Sequence, residues 1–179
     1  MKRLLFVLLA VTVLSTTAHA DVIGLYSDPT GGFCAAPSTP LVLNTVYVIH
    51  QFSSGATRSA WRITNDTDQV IYNSSCGQLS IQGNVIDGIE VFYPGCMTGS
   101  FVICQVGFLK LTTEPEPGCY QLNVVGFNSP TPTYVDCNDN QFAAEGWFFT
   151  FDIDLKPSCW DCSTPVESRT WGNVKALYR

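Results

Sequence analysis

Few side chains in this sequence are suited to catalysis. His50 is the only histidine beyond residue 20, and histidine is the usual general base near neutral pH. His50 lies in a segment that alternates apolar and polar residues, which is typical of a strand position with a structural role. The sequence therefore predicts neither a histidine-based catalytic triad nor a histidine-rich metal site.

Cys159 and Cys162 have the Cys-x-x-Cys spacing of thiol-disulfide exchange proteins. That chemistry needs the first cysteine at a helix N-terminus, where its pKa is lowered, but Pro157 and Pro165 flank the pair. A structural zinc site would need a second pair of the same spacing, and the sequence has none. A structural disulfide is the favoured interpretation.

Two acidic motifs could bind a cation. Asp152 and Asp154 project from one face of a predicted strand, and they could also form half of a glycosidase carboxylate pair. Residues 136–140 (Asp-Cys-Asn-Asp-Asn) match the beginning of an EF-hand loop, but Gln141 and Trp147 occupy the positions of its glycine and its bidentate glutamate. A solvent-exposed strand face and an ordinary turn are the favoured interpretations.

Aromatic side chains offer another type of binding site. Tyr93, Phe148 and Trp160 could stack on sugar rings if they are exposed. The sequence is 12 % aromatic, and most aromatic residues of a β-rich protein belong to its core. Carbohydrate binding is therefore an alternative rather than the leading hypothesis.

The first twenty residues have the three parts of a secretory signal. Lys2 and Arg3 precede an apolar run at residues 4–14, and residues 18–20 (Ala-His-Ala) end the segment. The run is shorter than the ~20 residues that span a bilayer. We predict cleavage after Ala20, no membrane insertion of the mature chain, and a secreted or periplasmic location.

The predicted mature chain is acidic. Removal of Lys2 and Arg3 leaves seven basic and fifteen acidic residues, a net charge of −8. An acidic surface repels phosphate backbones and anionic lipid, which excludes nucleic acid as an expected partner. The length beyond residue 20 suits one domain with a full core.

Apolar and polar residues alternate with period two along most of the chain. The clearest predicted strand is 147–155, in which Trp147, Phe149 and Phe151 point to one side. Further strands are predicted at 41–52, 59–64, 69–72, 78–82, 89–93, 101–111 and 119–127. This pattern predicts an all-β fold over residues 21–157, an antiparallel β-sandwich of immunoglobulin-like or jelly-roll type.

Eight cysteines follow the signal, and an even number in an oxidising compartment predicts up to four disulfides. They are Cys34, Cys76, Cys96, Cys104, Cys119, Cys137, Cys159 and Cys162. A chain reversal around residues 128–133 would place Cys119 opposite Cys137 on a neighbouring strand. Cys96 with Cys104 is a second predicted pair. Cys34 with Cys76 is a third. Cys159 and Cys162 could bond each other, or one of them could join the tail to the body.

Residues 158–179 form a separate tail, with the Cys-x-x-Cys linker followed by a short predicted helix. Residues 164–167 (Thr-Pro-Val-Glu) are a capping box with proline at the first helical position. Trp171, Val174 and Leu177 recur at spacing three and would share one helix face. Together with Tyr178, they make the tail a candidate docking or assembly element.

Residues 170–179 (Thr-Trp-Gly-Asn-Val-Lys-Ala-Leu-Tyr-Arg) resemble the ends of a group of uncharacterised secreted bacterial proteins. Those proteins share a Trp-Gly-x-Val/Ile-Lys-x-Leu-Tyr/Phe-Arg terminus. Residues 23–26 (Ile-Gly-Leu-Tyr) and 135–137 (Val-Asp-Cys) are similar to the group as well. The resemblance implies bacterial export and a short shared tail, and it carries no catalytic residue.

The sequence as a whole predicts a non-catalytic, secreted β-sandwich module with a structural or partner-binding role and no cofactor. The partner would be another extracellular protein or a glycan. A carbohydrate- or cation-binding extracellular protein is the alternative. A polysaccharide hydrolase that uses paired carboxylates is the third hypothesis.

Overall fold

The computed structural model describes residues 21–37, 39–65, 69–111 and 120–152. These residues contain eleven β-strands and no helix. The strands are β1 (Val22–Tyr26), β2 (Ala35–Pro37), β3 (Leu43–Asn65), β4 (Gln69–Ser75), β5 (Ser80–Asn84), β6 (Gly88–Lys110), β7 (Tyr120–Val125), β8 (Thr133–Asp136), β9 (Gln141–Ala143), β10 (Glu145–Gly146) and β11 (Phe148–Asp152). The predicted all-β fold is confirmed, while the predicted C-terminal helix lies outside the described residues.

Two strands of 23 residues, β3 and β6, form the frame of the molecule. The sequence predicted two shorter strands in place of each. The glycine- and serine-rich stretch at residues 53–55 stays in the β-ladder, with register shifts between His50 and Ser53 and between Ser53 and Ala56. A bulge bends a strand without ending it, so each long strand serves two halves of the fold.

Strand β3 connects the two sheets of the sandwich. Residues 43–50 of β3 pair with β6 on one side, and residues 47–51 pair with β1 on the other. Strand β4 pairs with the far side of β6. Along residues 56–60, β3 lies between β6 and β8, with β5 and β9 at the two edges. These strands form sheet A, which β10 extends beside β1. Residues 62–65 of β3 pair instead with β7 in sheet B, whose order is β3–β7–β11–β2.

The core lies between the inner faces of the two sheets. The ring of Phe108 on β6 lies 4.8 Å from that of Phe151 and 6.5 Å from that of Phe149, measured between centroids. Phe149 and Phe151 are buried, whereas Phe148 between Trp147 and Phe149 is 40 % exposed, as the alternation of the predicted strand requires. Full burial of each large apolar side chain contributes roughly 1.5–3 kcal/mol. Other core residues include Trp61, Ile63, Ile89, Val91, Leu122 and Val124.

Two disulfides join described strands. Cys76, just beyond β4, bonds Cys104 of β6, with a Cα–Cα distance of 4.0 Å. Cys96 of β6 bonds Cys137, just beyond β8, with a Cα–Cα distance of 5.4 Å. Cys34 is also disulfide-bonded. The two closed loops, of 28 and 41 residues, correspond to about 3.5–4 kcal/mol each in the chain-entropy treatment.

The predicted pairing of Cys119 with Cys137 is wrong, because Cys137 bonds Cys96. That prediction assumed a hairpin around residues 128–133. In the structure, β7 belongs to sheet B and β8 to sheet A. The chain therefore crosses from one sheet to the other at this point, and the two strands are not neighbours.

The predicted pair Cys96–Cys104 is also wrong, since both residues lie on the single strand β6. Eight positions along an extended strand correspond to a separation on the order of 20 Å, far beyond disulfide reach. The predicted pair Cys34–Cys76 is wrong because Cys76 bonds Cys104. Cys119, Cys159 and Cys162 lie outside the described residues.

Candidate partner-binding site

Two rows of directly opposed residues cross five strands on the outer face of sheet A, in the order β5–β6–β3–β8–β9. The first row is Ser80, Phe92, Arg58, Val135 and Gln141, and the second is Gln82, Glu90, Ala60, Thr133 and Ala143. Opposed residues of paired strands share a face. At ~4.8 Å per strand, each row is about 19 Å wide. We call these ten residues the five-strand face.

Small or uncharged polar side chains dominate the five-strand face. All of its residues are exposed or half-buried except Val135, which is 6 % exposed. The alternate residues of β3 and β6, such as Trp61 and Val91, are buried in the core. The face is therefore accessible and supplied with hydrogen-bonding groups.

Arg58 and Glu90 are the two charged residues of the five-strand face. Arg58 Nη1 donates a hydrogen bond to Glu90 Oε1 at 2.8 Å, and the two side chains are 43 % and 29 % exposed. A solvent-accessible ion pair of this kind contributes only about 0–1 kcal/mol to stability. It can therefore be exchanged for charged groups of a partner at little cost to the fold.

A groove of about 260 Å³ runs along the five-strand face, between the Arg58–Glu90 pair and the loop at residues 127–129. Thr133 and Gln141 line it from β8 and β9, and Ser129 lines it from the loop. The groove combines one cation, one carboxylate and several hydroxyl and amide groups. Such a lining can hold a polar segment of another molecule by hydrogen bonds.

Two glycines hold the loop against the sheet. Gly88 has φ +139°, and a Cβ there would overlap the Phe127 ring. A Cβ at Gly126 would overlap the carbonyl oxygens of Ser129 and Thr131. The wall of the groove is therefore fixed by close approaches that only glycine permits.

His50 lies on the inner side of the same sheet and is completely buried. Tyr93 donates its hydroxyl proton to Ser59 Oγ at 2.6 Å, and His50 Nδ1 lies 3.3 Å from the Tyr93 oxygen. The tautomer that satisfies both contacts is a neutral imidazole with the proton on Nδ1. Burial lowers the pKa of His50 to about 4. His50 is thus a buried strand residue, consistent with the role that its alternating segment predicted.

Three aromatic rings surround the imidazole of His50, and one of them, Tyr134, hydrogen-bonds the Asp21 carboxylate. The ring centroids of Phe101, Tyr134 and Tyr93 lie 5.3, 5.6 and 6.1 Å from that of His50. Asp21 hydrogen-bonds Tyr134 and accepts the Ser54 N–H at 3.2 Å, and burial raises the pKa of Asp21. His50 and Tyr93 of this cluster are buried, whereas Ser59 and Tyr134 also line the groove.

The acidic motif at residues 136–140 forms the turn between β8 and β9. Asp136 Oδ1 accepts the N–H groups of Asn138 and Asn140 at 2.8 Å each, and Oδ2 accepts Asn140 Nδ2 at 3.2 Å. These hydrogen bonds, with the backbone amide of Asn140 first, lower the pKa of Asp136. Because amide donors of the turn already hold the carboxylate, its geometry is that of a side-chain-capped turn.

The remaining candidate binding residues differ in exposure, and several of them lie outside the described residues. Tyr93 is 8 % exposed, so it lacks the exposure that sugar stacking would require. Its hydroxyl and ring belong to the cluster around His50. Phe148 is accessible, and Asp152 is the last residue of β11. Asp154, Trp160 and the tail residues Trp171, Val174, Leu177 and Tyr178 lie outside the described residues.

The described residues contain neither a candidate metal cluster nor a candidate membrane-spanning helix. No group of three or more histidine, cysteine, aspartate or glutamate side chains there is arranged to hold a metal ion. Within the same ranges, no helix has the length and apolar character needed to cross a membrane.

No family model matches the sequence, and no curated protein matches it. Solved structures do match the fold. The sixth cohesin of Acetivibrio cellulolyticus scaffoldin B, in complex with a mutant Cel5 dockerin, is 14 % identical with a TM-score of 0.52, covering 75 % of this chain and 99 % of that one. A non-cellulosomal cohesin from Archaeoglobus fulgidus is 13 % identical with a TM-score of 0.51, covering 74 % and 91 %.

The third cohesin of ScaC from Acetivibrio cellulolyticus, in complex with a mutant ScaB dockerin, is 8 % identical with a TM-score of 0.51, covering 74 % of this chain and 98 % of that one. Identities this low show similarity of fold alone. The chain therefore has a β-sandwich fold like that of the cohesin modules.

Proposed function

We propose that this chain is a non-catalytic extracellular module that binds another protein through the five-strand face. The observation that carries this proposal is the accessible outer face, which five strands build together and which holds a groove whose loop wall is fixed by Gly88 and Gly126. Two cohesins of similar fold form complexes with dockerins. That likeness supports a protein as the class of partner.

The chemistry of the described residues supports binding rather than catalysis. The sole histidine of the described chain is enclosed, and the cysteines that are described are oxidised. The carboxylate of Asp136 is held by amide donors of its own turn. The groups that remain accessible at the groove supply hydrogen bonds and one exchangeable ion pair, which serve recognition.

The charge of the chain indicates what kind of protein surface it binds. Residues 21–179 have a net charge of −8. Association with a basic surface is accelerated by such a field, and the acceleration declines as salt is added. We therefore expect a partner with a basic docking surface and an association rate that falls with ionic strength.

Export is part of the proposal. Cleavage after Ala20 would release a chain that begins at Asp21, and disulfides persist in the oxidising compartment beyond the membrane. Mass spectrometry of the protein recovered outside the cytoplasm should give Asp21 as the first residue. Retention of residues 1–20 in that material would contradict this part of the proposal.

The proposal is tested by photo-crosslinking in the native host. A benzophenone amino acid is placed at Ala60 in the five-strand face and, as a matched control, at Thr45, which is on the outer face of the other half of β3. We expect a discrete crosslinked protein from position 60 and none from position 45. Equal products from both positions, or none from position 60, would contradict the assigned face.

A steric variant gives the second test. Ala60→Arg should abolish binding of the crosslinked partner without changing the melting temperature, because the side chain points outward; Thr45→Arg should leave binding intact. Binding of a purified polysaccharide that Ala60→Arg abolishes, in place of a protein, would contradict a protein partner and support the carbohydrate alternative.

A further inference from the structure

One row of residues across the outer face of the other half of sheet A is apolar. Leu43, Leu109 and Val70 are directly opposed across β3, β6 and β4. Leu43 is 47 % and Val70 is 46 % exposed. Three more exposed apolar residues adjoin them along the chain, and we call the six residues the apolar row: Leu41, Val42, Leu43, Val70, Leu109 and Leu111.

Contiguous exposed apolar side chains of this kind mark a surface that another segment or molecule covers. Strand β4 also lies at the edge of sheet A, since among the described strands it pairs with β6 alone. Its outer backbone groups are therefore open as well. Both the exposed apolar side chains and the open edge of β4 therefore favour the packing of another segment or molecule on this surface.

The described chain ends within reach of this surface. Strands β11 and β2 run parallel, and the last pair of their ladder is Asp152 with Pro37. Leu41 follows Pro37 by four residues, which places the start of segment 153–179 on the order of 20 Å from the apolar row. A segment of 27 residues easily covers that distance, even when part of it is helical.

The chemistry of the tail matches the apolar row. On a helix, Trp171, Val174 and Leu177 form a stripe about 9 Å long, and three neighbouring strands are about 10 Å wide. The charges are also complementary. Residues 21–152 contain twelve acidic and three basic side chains, whereas residues 165–179 contain three basic side chains and one acidic.

We propose that the C-terminal segment of this chain packs the Trp171, Val174 and Leu177 stripe on the apolar row of the same molecule. The tail then covers the β4 half of the outer face and leaves the five-strand face open. This inference is independent of the proposed partner, because the two surfaces share no residue.

Crosslinking within the full-length protein tests the proposal. A benzophenone amino acid replaces Leu43, and the matched control replaces Ile81 on β5, which has the same 47 % exposure. We expect the Leu43 probe to form an intramolecular crosslink to a peptide from residues 165–179, and the Ile81 probe to form none. A crosslink between two copies, a crosslink only to a different protein, or no crosslink to the tail would overturn the proposal.

Hydrogen exchange provides a second readout that needs no probe on the row. Trp171→Ala should remove the protection of β4 amides from exchange, because the tail no longer covers that edge. Asn173→Ala, two positions along the predicted helix and off the stripe, should leave the protection unchanged. Equal exchange in the two variants would overturn the proposal.

Discussion

The inner and outer faces of strands β3 and β6 are made by alternate residues of the same backbone, yet they have opposite characters. Trp61 and Val91 on the inner face are fully buried, whereas Arg58 and Glu90 on the outer face are partly exposed and joined by an ion pair. Since neighbouring residues of a strand point to opposite sides, stability and recognition can be changed separately in this molecule.

The largest expected effect comes from the inner face. Phe151→Ala removes a buried ring that packs on Phe108, and it should lower the free energy of unfolding by about 3–5 kcal/mol. Phe148→Ala is the matched control on the same strand, where the side chain is 40 % exposed. Urea denaturation should separate the two variants clearly. Equal losses would show that the two faces of β11 are not distinct.

The second-largest effect is expected from removal of the Cys96–Cys137 disulfide, which joins two strand regions. Replacing both Cys96 and Cys137 by serine should lower the free energy of unfolding by about 4 kcal/mol, because the unfolded chain regains a loop of 41 residues. Differential alkylation also distinguishes the two bridges. The exposed Cys96–Cys137 bond should be reduced before the buried Cys76–Cys104 bond. The reverse order would contradict their assigned surroundings.

A smaller effect on stability depends on pH and comes from the buried cluster around His50. The pKa of His50 is about 4 in the folded protein and 6.5 in the unfolded chain, so the unfolded state binds more protons between these values. Stability should therefore fall as the pH is lowered from 6.5 towards 4, by up to about 3 kcal/mol. Asp21 has the opposite effect on the pH dependence. Its pKa is raised in the folded protein, so the folded state holds this proton more tightly than the unfolded state, and the resulting stabilisation is lost as the pH rises through the folded-state pKa.

His50→Phe keeps an aromatic ring among its aromatic neighbours and cannot be protonated. Denaturation curves measured from pH 6.5 to about 4 should be flatter for His50→Phe than for the wild-type chain. An unaltered pH dependence in the variant would assign the acid sensitivity to other groups.

The smallest expected effect on stability comes from the outer face. Glu90→Gln removes the ion pair with Arg58 and should change the free energy of unfolding by less than about 1 kcal/mol. The same variant should weaken binding to the proposed partner, measured by calorimetry with the crosslinked protein. A large loss of stability without any loss of binding would contradict the assignment of recognition to the outer face and of stability to the inner face.

The period-two pattern predicted much of the fold. Burial of Phe149 and Phe151 and exposure of Phe148 follow from alternation within one strand, which is a local property. Strand ends were less predictable. Residues 53–55 carry turn-like composition, but they bulge within β3 because the flanking ladder to β6 continues on both sides.

The cysteine pairs could not be derived from the sequence, because a pair depends on which strands become neighbours. Gly55 is a local signal of one bridge, since a Cβ there would lie 2.8 Å from Cys137 Sγ and 3.1 Å from Cys96 Sγ. That signal can be interpreted only after the three residues are brought together. Before folding, Gly55 is indistinguishable from a turn glycine.

By itself the sequence determined an all-β, disulfide-bonded fold and the apolar side of its clearest strands, because alternation and composition are encoded residue by residue. Only the tertiary structure decided which cysteines bond and where the five-strand face lies. That face takes its residues from five strands between positions 58 and 143. Most are ordinary polar or small residues, and register alone aligns them into one surface.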